Sequence, residues 1–136
     1  MGPADPTGSI LIVDDDRVSR VLLRHMLEAQ GREVVEADSV DEALRILSES
    51  GEAVSNSAVS NSCFQLVICD YVMTDRNGLD LLEALPQRLP FVLLTGELRE
   101  CDLDDVRVAG VAAYLTKPVS SSELEHVVES LTAASA

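Results

Sequence analysis

The chain has 136 residues, 46% of them hydrophobic, which is enough for one domain with a substantial core. A formal charge of −14 argues against direct binding to nucleic acid or to an anionic membrane, both of which favour basic proteins. No apolar run approaches the ~20 residues of a membrane-spanning helix, and the basic-then-apolar layout of a secretory signal is missing, so a cytoplasmic protein is expected.

Residues 1–8 read as a flexible leader. A first strand follows at Ser9-Ile10-Leu11-Ile12-Val13 and runs into Asp14-Asp15-Asp16. The next helix is predicted over Arg17–Gln30, with Val18, Val21, Leu22 and Met26 as its apolar stripe and Gly31 as its stop. His25 lies at the edge of that stripe and is read as a partly exposed packing residue. Glu33–Ala37 forms a short second strand with polar ends, as suits a sheet edge. Ser39 and Glu42 make a capping-box pattern that opens a helix striped by Val40, Ala43, Leu44 and Leu47.

The sequence Ala53-Val54-Ser55-Asn56-Ser57 then repeats at once as residues 58–62. This unit is too short for a solenoid, and residues 48–62 are read as a loop insertion, since loop-closure entropy grows slowly with length. A partner-binding role for the duplicated loop stays open.

Leu66-Val67-Ile68-Cys69 is a continuous apolar run of the kind buried on both faces of a parallel sheet, and it stops on Asp70. Asn77-Gly78 supplies a turn into a short helix at Leu79–Leu85, which Pro86 ends. Pro90–Leu94 is the fourth strand and leads to Thr95-Gly96. A modest helix is predicted over Asp104–Ala109, and the fifth strand, Ala112–Thr116, meets Lys117-Pro118. Ser120 and Glu123 form a second capping box before a helix striped by Leu124, Val127, Val128 and Leu131, with a solvated His126 beside it. The three cysteines, Cys63, Cys69 and Cys101, lack metal-ligand spacing and read as reduced thiols.

Five strand–helix repeats with right-handed crossovers predict an α/β fold, a doubly wound five-stranded parallel sheet with helices on both faces. Ligands of such sheets bind outside the carboxyl ends of the strands. Here those ends carry Asp14 and Asp15, Asp70, Thr95 and Lys117. Taken alone, Asp70 could merely cap a turn. Clustered with other carboxylates, it calls for a cation, and Mg²⁺, with Mn²⁺ as an alternative, suits a hard oxygen site with room for a phosphoryl group. Carboxylate nucleophile, metal, ammonium and hydroxyl together match phosphoryl transfer. Lys117 is the only lysine among ten basic residues, which points to a need for a compact charge at that position, although an arginine-favouring genome would leave the same trace.

At Val13-Asp14-Asp15, Asp70 with Gly78 eight residues on, Thr95, Tyr114 and Lys117-Pro118, the chain resembles the receiver domain of bacterial two-component response regulators, of the chemotaxis-regulator kind. The likeness runs from about Ile10 to Leu131. Each motif is weak by itself; jointly they are specific. The resemblance implies a flavodoxin-like strand order 2-1-3-4-5 and a domain over residues 9–132, with 133–136 as a tail. It implies Asp70 as phosphoacceptor, taking its phosphoryl group from a histidine kinase or phosphotransfer protein. Mg²⁺ would be held by Asp15 and Asp70 directly, by Asp14 through water and by the Val72 carbonyl. Lys117 would hold the phosphoryl oxygens, and its bond to Pro118 would be cis. Thr95 would move toward the phosphoryl group and let Tyr114 swing inward. That would alter the face of the fourth helix, fifth strand and fifth helix, which then meets a downstream protein or a second copy of the chain. Such a domain is a switch that assists its own phosphorylation, not an enzyme with a separate substrate.

Thr74 stands where the family usually has Pro, and Gly96 where a small residue, often Ala, is usual. The Gly78–Thr95 connection looks short for the family, and Val72 and Glu97 occupy positions that tune phosphoryl lifetime. A phosphorylation-independent interaction module usually lacks an acidic-pair residue, the acceptor or the lysine, and all are present. A haloacid-dehalogenase-type phosphatase places a second Asp where Val72 stands. A flavin protein of like topology would want aromatic walls, whereas aromatic residues make up 3% of the chain. No output domain is recognised in the sequence, which leaves open a stand-alone regulator or part of a longer protein.

Overall fold

Strands and helices alternate along the chain as β1 (Ser9–Val13), α1 (Arg17–Ala29), β2 (Val34–Ala37), α2 (Val40–Ala53), β3 (Phe64–Asp70), α3 (Gly78–Ala84), β4 (Phe91–Thr95), β5 (Ala113–Thr116) and a C-terminal helix, Ser121–Thr132. The computed structural model describes residues 9–53, 64–71, 78–85, 89–96 and 110–132, the side chains of 49–53 excepted. The predicted helix at 104–109 and the repeat at 54–62 lie outside them. All five strands pair in parallel in the order β2-β1-β3-β4-β5, as expected for a doubly wound sheet.

The apolar runs of the three central strands are explained by burial on both faces. Ile10, Ile12, Leu66, Ile68, Val92 and Leu94 pack with Leu23 and Leu27 of α1 and Leu124 and Val128 of the C-terminal helix. The alternate residues Leu11, Val13, Val67, Cys69, Phe91 and Leu93 pack with Val40, Ala43 and Leu47 of α2 and Leu81 of α3. Each fully buried leucine of this kind contributes about 2 kcal/mol. β2 lies at the edge and is only half buried up to Ala37, in keeping with its polar composition.

Both predicted capping boxes hold their helix starts. The Ser39 hydroxyl accepts the Glu42 amide at 3.0 Å, and the Ser120 hydroxyl accepts the Glu123 amide at 3.2 Å. The Glu42 carboxylate reaches back to the Asp38 amide at 2.9 Å. Gly31, at φ 84°, closes α1 in the left-handed region that glycine adopts without strain.

Two sequence expectations need correction. The stripe expected on α1 is largely wrong: Val18, Val21 and Leu22 are exposed, at 65%, 40% and 53%, and Met26 is only partly buried. The sheet-facing line runs instead through Arg20, Leu23 and Leu27, with the two leucines buried. Two overlapping apolar arcs share the helical period, so periodicity cannot say which one faces the sheet, and the polar Arg20 disguises the true one. Second, the loop expected from residue 48 begins later, because α2 continues to Ala53.

Candidate functional site at the carboxyl rim

Strand register assembles the site. Val13 is paired with Cys69, so Asp14 and Asp70 leave the sheet side by side. Asp70 pairs with Leu94 and Thr95 with Thr116, which sets Thr95 and Lys117 at the same rim. Carboxylate oxygens of Asp14, Asp15 and Asp70 all lie within 4.8 Å of one another, with Asp14 and Asp70 buried and Asp15 exposed. Lys117 Nζ sits 3.1 Å from Asp14 Oδ2 and 3.1 Å from Asp70 Oδ2, so one ammonium bridges the two buried carboxylates. The Lys117–Pro118 bond is cis.

Neighbouring groups hold this arrangement. The Asp16 amide donates to Asp14 Oδ1 at 2.9 Å, so both Asp14 oxygens already accept a hydrogen bond. Ser19 donates its hydroxyl to Asp16 Oδ2 at 3.0 Å and lies 3.5 Å from Lys117 Nζ. On the acceptor side, the Tyr71 amide donates to the Leu94 carbonyl and the Gly78 amide to the Tyr71 carbonyl, each at 2.7 Å. A Cβ on residue 78 would stand 2.6 Å from the Asp70 carbonyl oxygen, a clash only glycine avoids.

The charges are not equally at ease. Burial, with repulsion from Asp14 added, pushes the Asp70 carboxyl above its ordinary range despite the opposing pull of Lys117. Burial pulls the Lys117 ammonium the other way, but Asp14 and Asp70 outweigh it and hold its pKa above the usual lysine value. The lysine is therefore firmly charged, while Asp70 carries the strain of a crowded anion. Ser19 keeps the exposed Asp16 carboxyl below its ordinary value.

A set of oxygen donors around two buried acids, one of them already charge-strained, suits a hard divalent cation. The sequence pattern of the response regulator receiver domain family matches residues 10–129. The chain belongs to that family. The receiver domain is 34% identical over 117 residues to the transcriptional regulatory protein CpxR of Escherichia coli K12, a match that covers 85% of this chain and 45% of CpxR. It thus spans less than half the length of that relative. It is 35% identical over 125 residues to an uncharacterised 14.6 kDa protein of Leptolyngbya boryana, covering 88% of this chain and 86% of the other. Among solved structures, a receiver domain protein from Clostridium thermocellum superposes with a TM-score of 0.77 at 28% identity, covering 94% of this chain and 96% of that one. Receiver domains act as phosphoacceptor switches rather than classical enzymes, bind Mg²⁺ at an acidic pocket and interact with histidine kinases and downstream effectors.

In this receiver domain Asp14, Asp15, Asp70 and Lys117 come together as the sequence suggested. Thr95 is fully buried at the end of β4 and joined to the rim where the Lys117 amide donates to its carbonyl at 2.8 Å. Tyr114, on the outer strand β5, is 42% exposed. Val72, Thr74 and Glu97 lie outside the described residues. Ser19, Arg20 and Glu36 escaped the sequence reading. The signal that could have found Arg20 was its spacing, three and seven residues before Leu23 and Leu27. Beside Lys117 opens a groove of about 330 Å³, lined mostly by apolar groups of Leu22, Leu23, Met26, Leu94 and Val119. Among the described residues no helix is long and apolar enough to cross a membrane.

Proposed function

We propose that residues 9–132 form a phosphorelay receiver whose acceptor is Asp70. A histidine kinase or histidine phosphotransfer protein is the donor. One observation carries this reading: Lys117 joins Asp70 to Asp14 at 3.1 Å each, within a group of three carboxylates no more than 4.8 Å apart. A carboxylate oxygen of Asp70 attacks phosphorus, an O–P bond forms, the P–N bond to the donor imidazole breaks, and that nitrogen regains a proton from solvent. Lys117 favours the ionised, nucleophilic form of Asp70 and meets the charge on the incoming phosphoryl oxygens.

The donor set fits Mg²⁺ or Mn²⁺. The exposed Asp15 and the buried Asp70 would hold the ion directly, and Asp14, whose oxygens already accept the Asp16 amide and Lys117, would act through water. The Val72 carbonyl is assigned as a further ligand on family resemblance alone. When bound, the ion would neutralise charge where the Asp70 carboxylate meets the phosphoryl oxygens.

Thr95, buried beside the acceptor rim, is read as the hydroxyl that follows the phosphoryl group. Tyr114, whose strand pairs Leu93 with it, then turns inward from its exposed position and reshapes the face of β5 and the C-terminal helix. That face meets a downstream protein or a second copy of the domain; at −14 the chain is not expected to bind nucleic acid directly.

The test is incubation with a small phosphodonor and Mg²⁺, with mass and oligomeric state followed beside Asp70→Asn. A gain of about 80 Da, the mass of one added PO₃ group on the nucleophile, that is lost in the variant supports the reading. An unmodified wild type with metal bound would instead favour an interaction module that works without phosphorylation.

A further inference from the structure

The backbone of the acidic pair has an anchor outside the sheet. β1 pairs with β2 as far as Val13↔Ala37, and the Asp14 amide still donates to the Ala37 carbonyl at 3.1 Å. There β2 ends, and among the described residues no strand meets the Asp14 carbonyl. Arg20 takes over: its Nη1 donates to that carbonyl at 2.8 Å. The guanidinium is itself aimed, since Nε donates to Glu36 Oε1 at 3.0 Å. The other Glu36 oxygen accepts Arg24 Nη1 at 2.7 Å, and Arg24 Nε donates to Glu28 Oε2 at 3.0 Å. Arg24 first, then burial and Arg20, set the balance that keeps the Glu36 carboxyl below its ordinary value and so charged.

The placement is costly enough to need a reason. Arg20 occupies the line of α1 that faces the sheet, with Leu23 and Leu27, and its side chain is only 16% exposed. Burial of a guanidinium at a position otherwise suited to a leucine is unfavourable unless its donors are used. Here one edge of the fork is fixed on β2 and the other on the peptide that joins Asp14 to Asp15. Rotation of that peptide would swing Asp15 away from Asp14 and Asp70. An ammonium could reach the carbonyl or Glu36, but its point charge lacks the planar fork that serves both.

We propose that Arg20, oriented by Glu36, is a positioning residue for the acidic pair: by holding the Asp14 carbonyl it fixes the peptide that aims Asp15 at the divalent cation. This rests on the reading of Asp14, Asp15 and Asp70 as the cation site. It makes the β2 edge part of the cation site without contributing a ligand, as partners behind the ligands do in other metal centres.

The experiment is Mg²⁺ titration of the full chain by calorimetry, for wild type, Arg20→Met and Arg20→Lys, with thermal unfolding in EDTA run in parallel. Loss of a partner behind a ligand typically weakens metal binding by about tenfold or more, so Arg20→Met is expected to raise the Mg²⁺ Kd about tenfold. Arg20→Lys should fall between it and wild type. A purely structural arginine would lower the melting temperature in EDTA and leave the Kd of the folded protein unchanged, which would overturn the proposal. Should Arg20→Met not fold, a wild-type Kd in Arg20→Lys would overturn it equally. A wild type that takes up no Mg²⁺ would remove the cation reading itself, an outcome distinct from an unchanged Kd in the variants.

Discussion

Two parts of the same rim are built on opposite terms. At the β1–α1 corner the buried charges are tied down: Asp14 by Lys117 and the Asp16 amide, Lys117 by Asp14 and Asp70, Arg20 by Glu36 and the Asp14 carbonyl. At the β4–β5 edge Thr95 is buried, but Tyr114 two residues before the end of its strand stays 42% exposed. The difference follows from where the charges lie. A buried ion in low dielectric must be fully partnered or the fold loses several kcal/mol, so the acidic corner is organised before any ligand arrives. An exposed aromatic on an outer strand is held by little and can change position at small cost. On the proposed function, binding belongs to this partnered corner and response to the edge that carries Tyr114.

The sharpest way to break this contrast is Lys117→Met. It leaves Asp14 and Asp70 facing each other with their shared cation gone, and urea unfolding in metal-free buffer at neutral pH is expected to show a loss of about 3 kcal/mol. Mg²⁺ should return part of that loss. Unchanged stability would mean that the corner is not bound together by charge.

A smaller effect of opposite sign is expected for Asp70→Asn. The folded pKa of Asp70 lies above its unfolded value, so the fold binds that proton more tightly. The resulting penalty is absent below the ordinary carboxylate value of 3.8, grows as pH rises toward the folded pKa and is complete above it. Without metal at neutral pH the amide should raise the melting temperature by about 4 °C, the equivalent of roughly 1 kcal/mol. That advantage should vanish in acid. A gain that persisted at low pH would assign the stabilisation to packing and not to charge.

Least affected should be Tyr114→Ala, with a change below about 0.5 kcal/mol in the unphosphorylated protein, the usual range for an exposed side chain. A loss several times larger in the urea midpoint would show that the β5 edge is as tightly built as the corner it is contrasted with.

Much of this could be read from single stretches. The alternating and continuous apolar runs announced every described strand, and Ser39 and Ser120 announced two helix starts, because these signals depend on neighbours a few residues apart. The α1 face could not be read in the same way. Val18, Val21 and Leu22 satisfy the helical period as well as Leu23 and Leu27 do, and only the sheet selects between them.

What the amino-acid order determined by itself was the set of reactive groups and their place at the ends of strands: Asp14, Asp15, Asp70, Thr95 and Lys117 each follow an apolar run. The tertiary structure alone decided that Lys117 meets carboxylates 103 and 47 positions earlier in the chain at 3.1 Å, and that Arg20 turns inward to the Asp14 carbonyl. Local pattern reports burial and period, which are properties of one element. Distances between elements depend on strand order and register, and those are settled only when the whole sheet closes around its two apolar layers.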